Sequence, residues 1–196
     1  MTAVRKTAAP FADAAPFAIR AERAADVAAR EALLDASFGE GRHTRTCQRL
    51  RDGRAPAEGL AFSATQHGRL IGTVRLWHVS AGGIPALVLG PLAVDASCRS
   101  LGVGAALMNH ALAAAKARGH TAVILRGDPA YYERFGFSAD KTGELALPGP
   151  FERERLLAIE LREGALMGAW GMIAATGAKA RRPRAAKTHA IATAAA

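Results

Sequence analysis

Apolar and polar positions alternate or cluster along the chain in a way that places most of its elements. Residues 17–20 alternate, as a short half-buried strand should. Residues 24–38 read as a helix with Val27, Leu33 and Leu34 on its apolar side, and 44–51 as a second helix ended by Gly53. Two apolar-rich runs, 60–65 and 70–79, flank Gln66-His67-Gly68-Arg69, which is a hairpin signal. In the second run, alternation sends Trp77 and His78 to opposite faces. The break Ala81-Gly82-Gly83-Ile84-Pro85 precedes Leu87-Val88-Leu89 and Leu92-Ala93-Val94, a strand apolar enough to be covered on both faces. Gly90 and Pro91 interrupt it and fit either a bulge or an early strand end. Val103, Leu107, Ala111 and Ala115 then recur at helical spacing, Gly119 is placed to stop that helix, and 122–125 form a further apolar strand. A weaker strand signal covers 144–147 and a clearer one 156–161, separated by Pro148-Gly149-Pro150.

Composition bounds what these elements can build. With 196 residues, half of them hydrophobic, the chain can bury one sizeable core, and no apolar run approaches a membrane span. The expected organisation is a disordered N-terminal segment at 1–16, one domain at 17–163, and a C-terminal extension with a basic, disordered tail at 164–196. Five cations, Lys179, Arg181, Arg182, Arg184 and Lys187, sit in that extension with no acid; removing them takes the net charge of +9 to +4. The body is thus only mildly basic, membrane is excluded, and nucleic acid is not expected as a partner. The segment Gly164-Ala165-Leu166-Met167-Gly168-Ala169-Trp170 leaves open packing on its own domain or on a second copy in a homodimer. Cys47 and Cys98 are far apart and unpaired in spacing, so no metal site or disulfide framework is expected, and a cytoplasmic setting follows.

The chemistry concentrates in Arg99-Ser100-Leu101-Gly102-Val103-Gly104 and the following Ala105, between a strand and a helix. Unpaired amides and the dipole favour an anion at a helix start, the glycines permit close approach, and Arg99 adds charge. Neither a Gly-Lys-Ser/Thr loop nor a Gly-x-Gly-x-x-Gly fingerprint is present. The Arg-x-x-Gly-x-Gly turn after Leu92-Ala93-Val94, together with Tyr132 four residues before Gly136-Phe137, resembles the GCN5-related N-acetyltransferase (GNAT) family. The resemblance runs over residues 17–161, with its specific motifs between 89 and 137.

The resemblance implies an α/β (α+β) fold: a mixed, mostly antiparallel, twisted sheet with flanking helices, splayed between its fourth and fifth strands, 87–94 and 122–125. Acetyl-CoA, the implied co-substrate, would lie in that splay against the backbone of Leu92, Ala93 and Val94. Its pyrophosphate would meet Arg99, Ser100, Leu101, Gly102, Val103, Gly104 and Ala105. The activity would be acetyl transfer to a primary amine of a small molecule or a protein, with Tyr132 as general acid for the departing thiolate. Tyr131 points elsewhere on its helix. The chain departs from the family where an asparagine usually precedes the tyrosine. Its compressed Gly-Asp-Pro-x-Tyr-Tyr form, with Asp128 and Pro129 suited to start a helix, resembles a subgroup of predicted bacterial acetyltransferases.

Glu40, His43, His78 and Asp128 are the chemically able bases, with none preferred. The acceptor walls, 38–54 and 138–155, carry acids suited to a cationic amine and arginines suited to a carboxylate-bearing one. A non-catalytic acyl-CoA sensor and a nucleic-acid-associated protein using its basic tail are the alternatives to an enzyme.

Overall fold

The computed structural model describes residues 17–180. The N-terminal segment 1–16 and all of the basic tail beyond Lys179 and Ala180 lie outside the described residues.

A sheet in the order β1-β2-β3-β4-β5-β7 forms the frame, from β1 (Ala18–Ala21), β2 (Ala61–Gln66), β3 (Arg69–Ala81), β4 (Ile84–Val94), β5 (Ala122–Arg126) and β7 (Leu156–Glu160). All its neighbours are antiparallel except β4 and β5. β6 (Glu144–Ala146) and β8 (Trp170–Ala175) extend it, β8 pairing with the far end of β3 and running parallel to β6. The expected mixed, mostly antiparallel sheet is therefore present, and β4 and β5 are its fourth and fifth strands.

Helices cover both faces. Helix α2 (Val103–Ala117) buries Val103, Leu107, Met108, Ala111 and Ala115 against one face. Helix α1 (Val27–Phe38) packs Leu33 and Leu34 on Ala93 at the other. Gly119, at φ +80°, ends α2 as predicted: its N–H donates to Lys116 O and that of His120 to Ala115 O, closing the last carbonyls.

The strand β4 changes phase in its middle. Leu87 and Leu89 face α2, and so do Leu92 and Val94, while Ala93 faces α1. A period of two cannot keep residues 87, 89, 92 and 94 on one side unless one residue is added, and the register against β3 jumps there, from Val74↔Leu92 to Leu76↔Leu89. Gly90 and Pro91 thus form a bulge and do not end the strand. Gly90 adopts φ +136°, a conformation side chains disfavour, and its carbonyl accepts from Trp77 Nε1 at 2.6 Å.

Three local expectations are corrected. Val27 is 44% exposed, and the inward position on α1 belongs instead to Arg30, which pairs with Glu22 and Glu31. The helix expected over 44–51 is two 3-10 turns, Glu40–Thr44 and Thr46–Leu50, separated by extended Arg45. The strand β8 was not foreseen. Its segment docks on the domain, burying Ala165, Leu166 and Ile173, while Met167, Trp170 and Met172 stay exposed.

Candidate active site

Strands β4 and β5 pair at only two positions, Leu87↔Val123 and Val88↔Ile124. Beyond the bulge they part. The N–H of Asp95 donates to Ile71 O on β3 at 2.8 Å. Backbone groups alternate sides along a strand, so those of Leu92 and Val94 point the other way, into the gap. The splay therefore presents free backbone donors and acceptors, as an extended amide-bearing ligand requires.

At one end of this edge lies the turn singled out in the sequence. Asp95 caps it, accepting from Ser97 N at 2.9 Å, Ser97 Oγ at 2.6 Å and Arg69 Nη1 at 2.9 Å. The Ser97 bonds lead in holding the Asp95 carboxyl below its usual range. Gly102, at φ +73°, is the N-cap of α2, and its carbonyl accepts the first helical bond from Ala106 N. Val103, Gly104 and Ala105 supply the first-turn amides, which have no intrahelical acceptor. Arg99, Ser100 and Leu101 are exposed beside them. Val103 and Ala93 are buried in opposite cores and reach the splay only through backbone.

At the other end is a pocket of about 150 Å³, bounded by the bulge residues of β4, by Leu125 and Arg126 of β5, by Tyr132, and by residues 38–51. Tyr132 stands on the short helix α3 (Pro129–Tyr132), begun as expected by Asp128, whose carboxylate accepts from Ala130 N at 3.1 Å. Burial, aided by Tyr131, pushes the Tyr132 hydroxyl up to about 12. That hydroxyl has no hydrogen-bond partner among the described residues.

Tyr131 is not a bystander. A Cβ on Gly104 would sit 3.0 Å from its hydroxyl, so it reaches the first turn of α2, with its ring edge-on to Tyr132 at 4.9 Å.

Among the bases considered, Glu40 and His43 are exposed, Asp128 is spent as a helix cap, and His78 stacks on His120 at 5.3 Å beside a different cavity. None of the four lines the pocket. Of the two expected walls, only 38–54 contributes lining; 138–155 braces it from behind, Pro148 and Pro150 carbonyls accepting from Arg49 and Thr46. The sequence reading had no means of bringing Arg126 to this site, since it lies in neither segment.

Residues 27–137, more than half of the chain, match the acetyltransferase (GNAT) family. The chain belongs to this family. Among curated GNAT relatives, the N-acetyltransferase YhbS of Escherichia coli (strain K12) is 30% identical over 157 residues, spanning 79% of this chain and 93% of YhbS. The crystal structure of E. coli YhbS in complex with CoA superposes with a TM-score of 0.72 at 30% identity, covering 84% of this chain and 92% of that one. A GNAT acetyltransferase from Brucella melitensis in complex with acetyl-CoA gives 0.55 at 25% identity, covering 74% and 96%. No helix among the described residues of this GNAT chain is long and apolar enough to cross a membrane.

Proposed function

We propose that the chain transfers the acetyl group of acetyl-CoA to a primary amine, of a small molecule or a protein, in a direct step. The free edge of β4, running from the α2 turn to the Tyr132 pocket, carries this reading. It places the exposed first-turn amides of α2 at one end of the unpaired β4 edge and a partly enclosed, arginine-lined chamber at the other. The complexes of similar proteins with CoA and acetyl-CoA support the same use of the groove.

In the reaction the amine nitrogen forms a bond to the thioester carbonyl carbon, the C–S bond breaks, and the sulfur departs as thiolate. The amine must also lose a proton. Among the described residues no carboxylate or histidine lines the pocket, which supports loss of that proton to water. Tyr132 is the proposed general acid. With its hydroxyl near 12 and an ordinary thiol near about 8.5, complete transfer to free thiolate runs uphill. Its contribution is a hydrogen bond that strengthens as negative charge builds on sulfur, which is differential stabilisation of the transition state.

Calorimetric titration with acetyl-CoA, beside Gly102→Glu, tests the cofactor groove. Wild type should bind and the variant, with a carboxylate on the anion site, should lose at least tenfold. An amine screen with Tyr132→Phe then tests the acid: kcat should fall about 10²-fold or more with CoA affinity retained. Absence of acetyl-CoA binding by folded protein would overturn the proposal.

A further inference from the structure

The pocket beside Tyr132 is cationic. Arg42, Arg45, Arg51 and Arg126 line it, and among the described residues no Asp or Glu does. Two of the four have carboxylate partners: Arg42 pairs with Asp35 and Glu31, and Arg126 with Glu152, although the Arg126 Nε is buried without an acceptor. Arg45 donates to the Phe38 carbonyl at 3.2 Å and lies 5.1 Å from that ring, with no carboxylate partner. Arg51 has neither an ion pair nor a hydrogen bond from its guanidinium to any described residue, and its Nε is buried without an acceptor. Burial leads in lowering its pKa, with Cys47 and Asp52 pulling the other way. Its Nη1 lies against the bulge, 3.6 Å from where a Cβ on Gly90 would stand.

A largely buried guanidinium with no ion pair is costly, because its desolvation is only partly offset by distant opposing charge. Such a group persists where a ligand brings the anion, and the planar fork matches a carboxylate with two parallel bonds. The diphosphate of the cofactor is assigned to the opposite end of the groove, and an acetyl group carries no charge. The missing anion must then come with the acceptor.

We infer that the acceptor is a small amine bearing a carboxylate close to its amino group, and that Arg51, assisted by Arg45, holds that carboxylate. This rests on the acetyltransferase reading. It resolves the choice that charge composition left open, since the acids of the two walls, Glu40, Asp52, Asp140, Glu144, Glu152 and Glu154, all stand outside the pocket lining.

Cys47 lines the same pocket and provides a probe that needs no turnover. Full-length protein is alkylated with iodoacetate or with neutral iodoacetamide, and Cys47 modification is followed by peptide mass. The iodoacetate-to-iodoacetamide rate ratio at Cys47 should exceed that of a free cysteine at least tenfold and return to it in Arg51→Gln. Any change in thiol ionisation affects both reagents and cancels in the ratio. In parallel, paired acceptors (glycine and glycinamide, β-alanine and β-alaninamide) are compared with acetyl-CoA, with rates expressed per free amine. The carboxylate member should have at least tenfold higher kcat/KM, the preference vanishing in Arg51→Gln and partly surviving in Arg51→Lys.

A ratio near that of free cysteine, or no carboxylate preference, in protein that binds CoA would overturn this inference alone. Selectivity that follows a carboxylate on the acyl group, succinyl-CoA over acetyl-CoA, would also overturn it. Selective alkylation in protein that binds no CoA would overturn the acetyltransferase reading, and the acceptor with it.

Discussion

The ring of Tyr132 lies directly on the backbone of Gly127. A Cβ built on that glycine would stand 2.1 Å from Tyr132 Cε2 and 2.6 Å from Cδ2. No side chain fits there unless the tyrosine moves. Gly127→Ala should therefore swing the ring away from the pocket, lowering kcat at least tenfold while CoA affinity stays within a few-fold. Overpacking of this kind costs about 1–3 kcal/mol, readable by urea unfolding. Unchanged kcat would show that the ring's seat is irrelevant to turnover.

The bulge is held by Trp77, whose Nε1 donates to Gly90 O. Trp77→Phe keeps most of the apolar contact but leaves that carbonyl without its donor. The expected cost is about 1–3 kcal/mol by denaturant unfolding. The KM for acetyl-CoA should also rise several-fold, because the bulge sets where Leu92 and Val94 present their backbone groups.

Asp26 ties three elements together. It accepts from Arg20 at 2.6 and 2.8 Å, from Arg23 N at 2.8 Å and from Ser63 Oγ at 3.1 Å, and the Arg20 bonds lead in holding its carboxyl well below the usual range. A depressed carboxyl stabilises the fold above its unfolded pKa, near about 4, and loses that contribution as pH falls below it. Asp26→Asn should cost about 1.5–3 kcal/mol at pH 7, as expected for weakening hydrogen bonds to a charged, part-buried group. Unfolding series at pH 7 and pH 2.5 should show the gap between wild type and variant narrowing in acid.

Tyr132 has the opposite sign. Its hydroxyl is raised from 10 to about 12, so the folded state holds its proton more tightly. That contribution is complete below pH 10 and is lost as pH rises through 12. Ultraviolet titration should show a tyrosine step near 12 that Tyr132→Phe removes. Activity up to pH 10 should contain no falling limb from this group.

The central unit, from β4 through α2 to β5, was legible because each part carries its own signal. Leu87, Leu89, Leu107 and Ala111 fall at the right periods, and Gly102 and Gly119 mark the helix ends. Even the bulge was open to inference from Gly90 and Pro91. On helix α1, Leu33 and Leu34 were placed correctly, and Val27 was not because the first inward turn is ionic: Arg30 is buried through Glu22, and no hydrophobic period announces an ion pair. Strand β8 has an exposed Trp170 and a single fully buried residue, Ile173, so its pattern is faint. In the site, the turn at 99–105 is contiguous, so its backbone form could be read directly. The arginine pocket is not contiguous. Arg51 and Arg126 meet only once the 74 intervening residues have folded between them.

The two backbone pairings between β4 and β5 are a narrow seam between one half of the sheet, β1 to β4, and the other, β5 and β7. A molecule lying along the free edge of β4 would add rungs where the protein supplies none. Its binding energy is then also cohesion: at a hundred times its Kd such a ligand stabilises the fold by about 2.7 kcal/mol. With such a ligand in place, part of the structural integrity of this chain would be supplied by the pool it draws on, and would rise and fall with it.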